Sequence, residues 1–297
     1  MSPKVHEGNS KKRPTPPFPK QEVTPPGLEA KLDPRPQYEA REYKGSEKLK
    51  NKVALITGGD SGIGRAVANL YAREGANVAI VSLPEEEKDA NETKKAVVGQ
   101  GRKAHLIVGD VTDSNFCQSA VNECMEVFGK LDILVNNAAF QKHVSSIEEL
   151  ELDQWDRTFK TNIYAYFCLS KAALQVMESG GIIINTGSIT GLEGSKGLLD
   201  YSATKGAIHA FTKSLAQQVI SRGIRVNCVA PGPVWTPLNP AERNHEDVKD
   251  FGEGTPMGRP AQPEEIAPAY VFFASPSDSS YISGEVLTLL GGNTRAG

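Results

Sequence analysis

Three residues of this 297-residue chain have the types and spacing needed to move a proton to or from a carbon-bound oxygen. Tyr201 and Lys205 stand four positions apart, and Ser188 precedes them in Ser188-Ile-Thr-Gly-Leu-Glu-Gly-Ser-Lys-Gly-Leu-Leu-Asp-Tyr201. Residues i and i+4 share a helix face, so a lysine ammonium would lie beside a phenol. A free Tyr titrates near ~10 and is a poor acid–base group at neutral pH. A nearby positive charge favours the phenolate and lowers that value. A serine hydroxyl on an adjoining loop would hold a substrate oxygen against the phenol, which suits a carbonyl/alcohol pair. The spacing alone proves little. With 8 Tyr and 33 Lys plus Arg, about one Tyr should have a basic residue four places on by chance. A solvated helix face, or a Tyr packed on an aliphatic Lys stem, would read the same way.

The elements around these residues decide between the readings. Residues 1 to 50 hold 9 of the 19 Pro and 11 Lys or Arg against 7 Asp or Glu. Such an arm cannot build its own core. Its first ~20 residues are expected to be disordered, as unanchored termini usually are. Partial packing is expected for residues 20 to 50, which include Leu28, Leu32 and Tyr38. The arm could serve as a peptide ligand, as a segment packed on a neighbouring subunit, or as a plain tail.

From Lys52 onward short apolar runs alternate with helical patterns. Strands are predicted at residues 53–57, 77–81, 104–108, 132–135, 181–185, 225–230 and 285–290. Helices are predicted between them, including one long helix from about Leu152 to Met177 and another from Tyr201 to Ile220. This alternation predicts an α/β domain over residues 51–297: a doubly wound, seven-stranded parallel sheet with helices on both faces, a single-domain Rossmann fold.

The first strand ends in Thr57-Gly-Gly-Asp-Ser-Gly-Ile-Gly64 and a helix begins there. Such a turn lets backbone N–H groups approach a pyrophosphate at the helix N-terminus, and a Cβ would block that approach. Asp60 is unexpected beside a pyrophosphate; it would cap the helix or face water. Asp110, after the third strand, suits a hydrogen bond to an adenine amino group or a cap on its own turn. Asn136-Asn-Ala-Ala139 falls at the carboxyl edge of the fourth strand, where ligands of open sheets bind. An acid at the end of the second strand would select NAD; the sequence there is Val81-Ser82-Leu83-Pro84. Ser82 tolerates a 2′-phosphate and Arg65 is placed to reach one, so the reading leans to NADP and keeps NAD open.

Composition excludes other classes. A hydrophobic content of 39% and a charged content of 23% describe a globular chain, and a net charge of −3 gives no basic field for nucleic acid. No apolar run approaches the ~18 residues of a membrane span. The start lacks a signal core, which points to the cytoplasm. The four Cys have no C-x-x-C spacing, and His143, His209 and His245 have no metal-ligand spacing, so no metal is expected. Leu238 to Gly254 is charged and poor in apolar pattern, as a lid over a site would be.

Thr57-Gly-x-x-x-Gly-x-Gly64, Asp110-Val111, Asn136-Asn-Ala138, Asn162, Ser188, Tyr201-x-x-x-Lys205, Pro231-Gly232 and Thr236 follow one another in order. Together they resemble the single-domain form of the short-chain dehydrogenase/reductase family, over roughly four fifths of the chain from Lys52 to Gly292. The Pro-rich arm before Gly-Gly-Asp-Ser-Gly-Ile-Gly is similar to a bacterial and fungal subgroup related to glucose and aldehyde reductases. The resemblance implies an NAD(P)-dependent oxidoreductase that interconverts an aldehyde or ketone and an alcohol. Tyr201 would be general acid and base, Lys205 would lower its pKa and hold the nicotinamide ribose, and Ser188 would position the substrate oxygen. Asn162 would hold a water that continues the proton relay. Gly58, Ser61, Gly62, Ile63, Gly64, Ser82, Asp110, Val111, Asn136 and Ala138 would line the cofactor site with Tyr201 and Lys205. Pro231, Gly232, Val234 and Thr236 would close it around the carboxamide. Phe140, Gln141, Glu193, Leu198 and Trp235 flank the cleft as candidates for the substrate pocket. Ala139 stands where the family usually has Gly, which adds a methyl near the nicotinamide ribose. A homotetramer built through the helices of Asn162 and Tyr201 is implied. The alternatives are a non-catalytic nucleotide sensor or scaffold, and a lyase or epimerase that reuses the fold.

Overall fold

Alternating apolar residues on each strand supply both faces of one sheet. In the computed structural model, which describes residues 13–21, 23–242 and 248–294, seven parallel strands run in the order β3-β2-β1-β4-β5-β6-β7. They are β1 Val53–Thr57, β2 Asn77–Ser82, β3 Ala104–Val108, β4 Ile133–Asn136, β5 Ile182–Thr186, β6 Arg225–Pro231 and β7 Val286–Leu289. Ala54, Ile56, Val78, Ile80, Ile133 and Val135 face one way, packed against α1 Gly62–Arg73 and α9 Pro263–Ala274. Val53, Leu55, Ala79, Val81 and Leu134 face the other way, against α3 Ser114–Phe128, α5 Ala165–Val176 and α7 Leu199–Val219. This is the period of two that a pleated strand imposes. Helix α2, Glu87–Gly99, covers the edge beside α1. No helix among the described residues is long and apolar enough to cross a membrane.

The strand order reverses at β1 and β4, whose register pairs Ile56 with Val135. At such a reversal the crossovers leave to opposite sides and open a crevice beyond the carboxyl ends. Thr57, Ser82, Asn136, Thr186 and Pro231 are the last residues of their strands, so the chemistry-bearing loops all leave from one edge.

The long helix predicted from Leu152 is broken in one place. Helix α4, Leu152–Phe159, passes through a π turn at Lys160–Tyr164 before α5 continues. Such widened turns recur at functional sites, and this one contains Asn162. Past β6, the expected lid forms a one-turn helix α8, Leu238–Ala241, and turns at residues 249–254; residues 243–247 lie outside those described.

The arm lies on the domain from residue 13 onward. Phe18, inside the stretch expected to be disordered, is 4% exposed and stacks on Trp235 with ring centroids 4.2 Å apart. That expectation therefore fails for residues 13–20: an aromatic side chain with an apolar partner anchors the segment. The expectation for residues 1–12 falls outside the described residues.

Candidate active site

Tyr201 and Lys205 sit in the first two turns of α7, and both are buried. Lys205 Nζ donates to the Thr186 carbonyl at 2.7 Å and lies 5.3 Å from the centre of the Tyr201 ring. Ser188 reaches the same place from the loop after β5. Its hydroxyl oxygen accepts from Thr190 N at 3.1 Å and from Thr190 Oγ1 at 3.0 Å. A hydroxyl has two acceptor sites and one proton, so with both acceptor sites filled, the proton of Ser188 remains for its hydrogen bond with Tyr201.

Two further contacts fix this arrangement from behind. Asn162 accepts the Phe140 N–H at 2.7 Å and donates to the Phe140 carbonyl at 2.8 Å and to Thr204 Oγ1 at 3.1 Å. The π turn thereby ties the loop after β4 to α7 at Thr204, between Tyr201 and Lys205. Asp200 accepts the Tyr201 N–H at 2.9 Å, and its other oxygen accepts from Thr158 at 2.6 Å and Gln154 at 3.2 Å. The spacing motif gave no sign of Asp200; only its position next to Tyr201 did.

Burial dominates the titration of the pair. It pushes the Tyr201 phenol up to about 12, with the Ser188 hydrogen bond opposing, and pulls the Lys205 ammonium down to about 8. The expected lowering of the tyrosine by its lysine neighbour is thus corrected: removing a phenolate from water costs more than these neighbours return. Burial thus holds the phenol proton more tightly than in a free tyrosine.

A cavity of about 330 Å³ runs from these residues to the glycine loop. Of the predicted cofactor contacts, Gly58, Ser61, Gly62, Ile63, Ser82, Asp110, Val111, Ala138, Pro231, Gly232, Val234 and Thr236 line it. Of the predicted substrate contacts, Phe140, Gln141 and Leu198 do. Ala139 lines it too, with its extra methyl. Several predicted residues take other places. Asn136 is fully buried and donates to Asn185 and Ser170 below the floor, and its neighbour Asn137 lines the cavity instead. Asn137 donates to the Thr57 and Gly58 carbonyls and so ties two loops of the crevice together. Gly64 lies behind the wall, against Gly58. Trp235 turns away, between Phe18 and Phe251, and donates to the Pro34 carbonyl at 2.7 Å. Glu193 is exposed at the end of a one-turn helix and does not line the cavity.

Arg65 is the clearest correction. It is fully buried and paired with Glu29 at 2.7 Å, Asp89 at 3.3 Å and Glu92 at 3.3 Å. It donates to the Asp60 carbonyl at 2.9 Å and is absent from the cavity wall, so it does not reach a 2′-phosphate. Sequence reasoning also missed Arg157, Asn239 and Glu242 at the substrate end, and Glu86 at the far end.

The wall fits a dinucleotide. Gly58 and Gly62 have φ of +58° and +50°, so no Cβ stands between this turn and a pyrophosphate at the start of α1, although the Gly62 N–H itself is taken by Glu29 at 2.6 Å. Ser82 and Asp60 belong to this wall, and Ser82 Oγ and Asp60 Oδ2 are buried without a hydrogen-bond partner among the described residues. Buried polar atoms without partners mark places where a ligand hydrogen bond is missing.

A family model described as enoyl-(acyl carrier protein) reductase matches residues 58–294. General stress protein 39 of Bacillus subtilis is 53% identical, over 90% of this chain and 93% of its own length. Glucose and ribitol dehydrogenase of Daucus carota is 50% identical, over 92% of this chain and 96% of its own. Among solved structures, a short chain dehydrogenase from Burkholderia cenocepacia in complex with NADP superposes with a TM-score of 0.77. It is 34% identical, and the match covers 82% of this chain and 98% of that one.

Proposed function

The chain belongs to the short-chain dehydrogenase/reductase family, and on that premise we propose that it reduces an aldehyde or ketone to an alcohol, and the reverse, with a nicotinamide dinucleotide. The observation that carries this reading is the meeting of Ser188, Tyr201 and Lys205 at one end of a cavity whose other end is the glycine loop. When bound, the nicotinamide supplies or removes the hydride. Gly58, Ser61, Gly62 and Ile63 would hold the pyrophosphate, Ser82 the adenosine ribose, Asp110 and Val111 the adenine. Thr236 and Val234 would hold the carboxamide end.

The protein's own part is position and a proton. The Ser188 hydroxyl orients the substrate oxygen, and Tyr201 Oη gives up its proton as that oxygen gains charge. Lys205, held on the Thr186 carbonyl, favours the phenolate that forms. A phenol pushed up to about 12 keeps at neutral pH the proton that carbonyl reduction consumes, and alcohol oxidation, which needs the phenolate, should accelerate as pH rises. Gln141, Asn239 and Glu242 add polar groups to a wall that also carries Leu198 and Phe251, and Gln141 donates to Asn239 at 3.3 Å. A panel of aldehydes, ketones and polyols, followed by nicotinamide absorbance, tests the reading. A chain that binds the dinucleotide and turns over nothing in the panel overturns it.

Charge at the ribose end bears on the choice of dinucleotide. The wall there carries the carboxyls of Asp60 and Glu86. Burial and then Asp60 push Glu86 up to about 8; burial pushes Asp60 up to about 6. While Glu86 keeps its proton it can donate to a phosphate, which supports use of NADP at neutral pH. Once ionised it repels the 2′-phosphate, which is already doubly charged above ~6. The preference for NADPH over NADH, as a ratio of kcat/KM values, should fall about tenfold between about pH 7 and about pH 9, within the limit set by ~2 kcal/mol between a single and a double charge near 4 Å in water. Glu86→Gln should flatten that dependence. A ratio that stays constant with pH in the unmodified enzyme rules the carboxyls out.

Leu152 on α4, Tyr164 in the π turn, Phe167 on α5 and Leu199 on α7 are large apolar side chains left exposed. Their exposure supports a homotetramer built through those helices. Light scattering checks it: Phe167→Glu should shift the mass to a smaller species, and a wild-type monomer would remove the proposal.

A further inference from the structure

The arm reaches the dinucleotide cavity from behind the glycine loop. Pro25 and Pro26 form part of its wall. Four residues on, Glu29 is fully buried within a single 3-10 turn. One carboxylate oxygen accepts the Gly62 N–H at 2.6 Å, at the first residue of α1. The other accepts from Arg65 Nη1 at 2.7 Å. The backbone N–H of Glu29 donates to Asp89 Oδ2 at 2.6 Å, on α2. Arg65 in turn donates to the carbonyl of Asp60, within the loop itself. Glu29 therefore holds the loop at two points, directly at Gly62 and through Arg65 at Asp60.

The same segment is tied to the other side of the cavity. Pro34 O accepts the Trp235 indole N–H, Phe18 stacks on that indole, and Phe18 N donates to Lys249 O at 2.8 Å. Arg35 donates to both carboxylate oxygens of Glu92 on α2, at 2.9 and 3.0 Å. The strand-end loop with Val234 and Thr236, the glycine loop and α2 thus share one belt, formed by a segment that lies outside the sheet.

We propose that residues 18–21 and 23–36 are a strap belonging to the dinucleotide site, and that Glu29 is a positioning residue that sets the glycine loop for the cofactor. The inference rests on the nucleotide-binding reading above. Burial pushes Glu29 up to about 7, against Arg65, the Gly62 N–H and the helix dipole, which favour its carboxylate. Here it takes the Gly62 N–H, which leaves a ligand the other N–H groups of the loop. Docking of the strap and binding of the dinucleotide then favour each other, and linkage makes the effect reciprocal.

Two measurements on the full chain test this. The first is the dissociation constant of NADPH and of NADH for wild type, Glu29→Gln and Glu29→Ala. Glu29→Ala should weaken binding about tenfold, within the 5- to 150-fold range usual for coupled sites. Glu29→Gln, which keeps an acceptor for Gly62, should lie between it and wild type. At saturating cofactor, kcat and the carbonyl KM should stay near wild type, a split that loss of folded protein would not produce. The second is trypsin cleavage after Lys31 in wild type, which saturating dinucleotide should slow about tenfold. Unchanged affinity in a folded Glu29→Ala, or cleavage indifferent to the dinucleotide, overturns the strap and leaves the oxidoreductase reading intact. A wild-type chain that binds neither dinucleotide removes both.

Discussion

Tyr201→Phe should lower kcat for carbonyl reduction by about a thousandfold while the dinucleotide binds with near wild-type affinity. The substitution removes one oxygen and keeps the ring, so the packing of the aromatic surface against the Lys205 ammonium survives. What is lost is the proton that the substrate oxygen must receive, and a positioned acid contributes ~10²- to 10⁴-fold. Ser188 would lose a hydrogen-bond partner, but its oxygen would keep both bonds from Thr190. The loop should therefore stay in place, and the melting temperature should change little. Two readouts separate this from damage to the fold: the dissociation constant of the dinucleotide, and the pH profile of alcohol oxidation. Wild-type oxidation should rise with pH toward a phenol pushed up to about 12. The variant should lose that rise. Near-normal kcat in a folded Tyr201→Phe would sink the mechanism and would favour a group other than Tyr201 as the proton donor.

The parts of the site that could be read from sequence are those whose geometry is local. Tyr201 and Lys205 are set by one helix, and the glycine loop by one strand–turn–helix, so spacing alone placed them. Asn136 shows where this stops. On a strand, one residue decides which face a side chain takes; Asn136 ends β4 with its amide on Asn185 and Ser170, and Asn137 inherits the cavity. Arg65 and Trp235 were misread for a different reason. Their partners, Glu29 for one and Phe18 and Pro34 for the other, come from the arm, and no periodicity links an irregular segment to the loop it covers. The titration of Tyr201 was misjudged because a pair spacing reveals a neighbouring charge and does not reveal burial. The π turn at Asn162 is invisible to helical periodicity, since it adds a residue without ending the helix.

Gly64→Ala should cost the enzyme its dinucleotide and several degrees of melting temperature together. A Cβ on Gly64 would stand 1.9 Å from the carbonyl oxygen of Gly58 and 2.8 Å from its carbonyl carbon. Both are backbone atoms, so no side-chain rotation relieves the collision. Relief requires moving either α1 or the Gly58 turn. That turn has φ of +58° and is fixed on its far side by Asn137, which donates to the Gly58 carbonyl at 3.0 Å. Overpacking of this kind costs ~1–3 kcal/mol. The first turn of α1 and the wall residues Gly58, Gly62 and Ile63 would shift with it. Affinity for NADPH and NADH should fall by more than about tenfold, since a displacement of that size removes N–H bonds worth ~1.5–3 kcal/mol to a charged group. Gly99→Ala is the matched control. Gly99 ends α2, its added Cβ would meet nothing within 4 Å, and its φ is not positive. There the same substitution should leave binding unchanged and stabilise the fold slightly, by up to ~1 kcal/mol. If Gly64→Ala binds the dinucleotide like Gly99→Ala, the loop does not form the pyrophosphate cradle, and the cavity must take its ligand elsewhere along the wall.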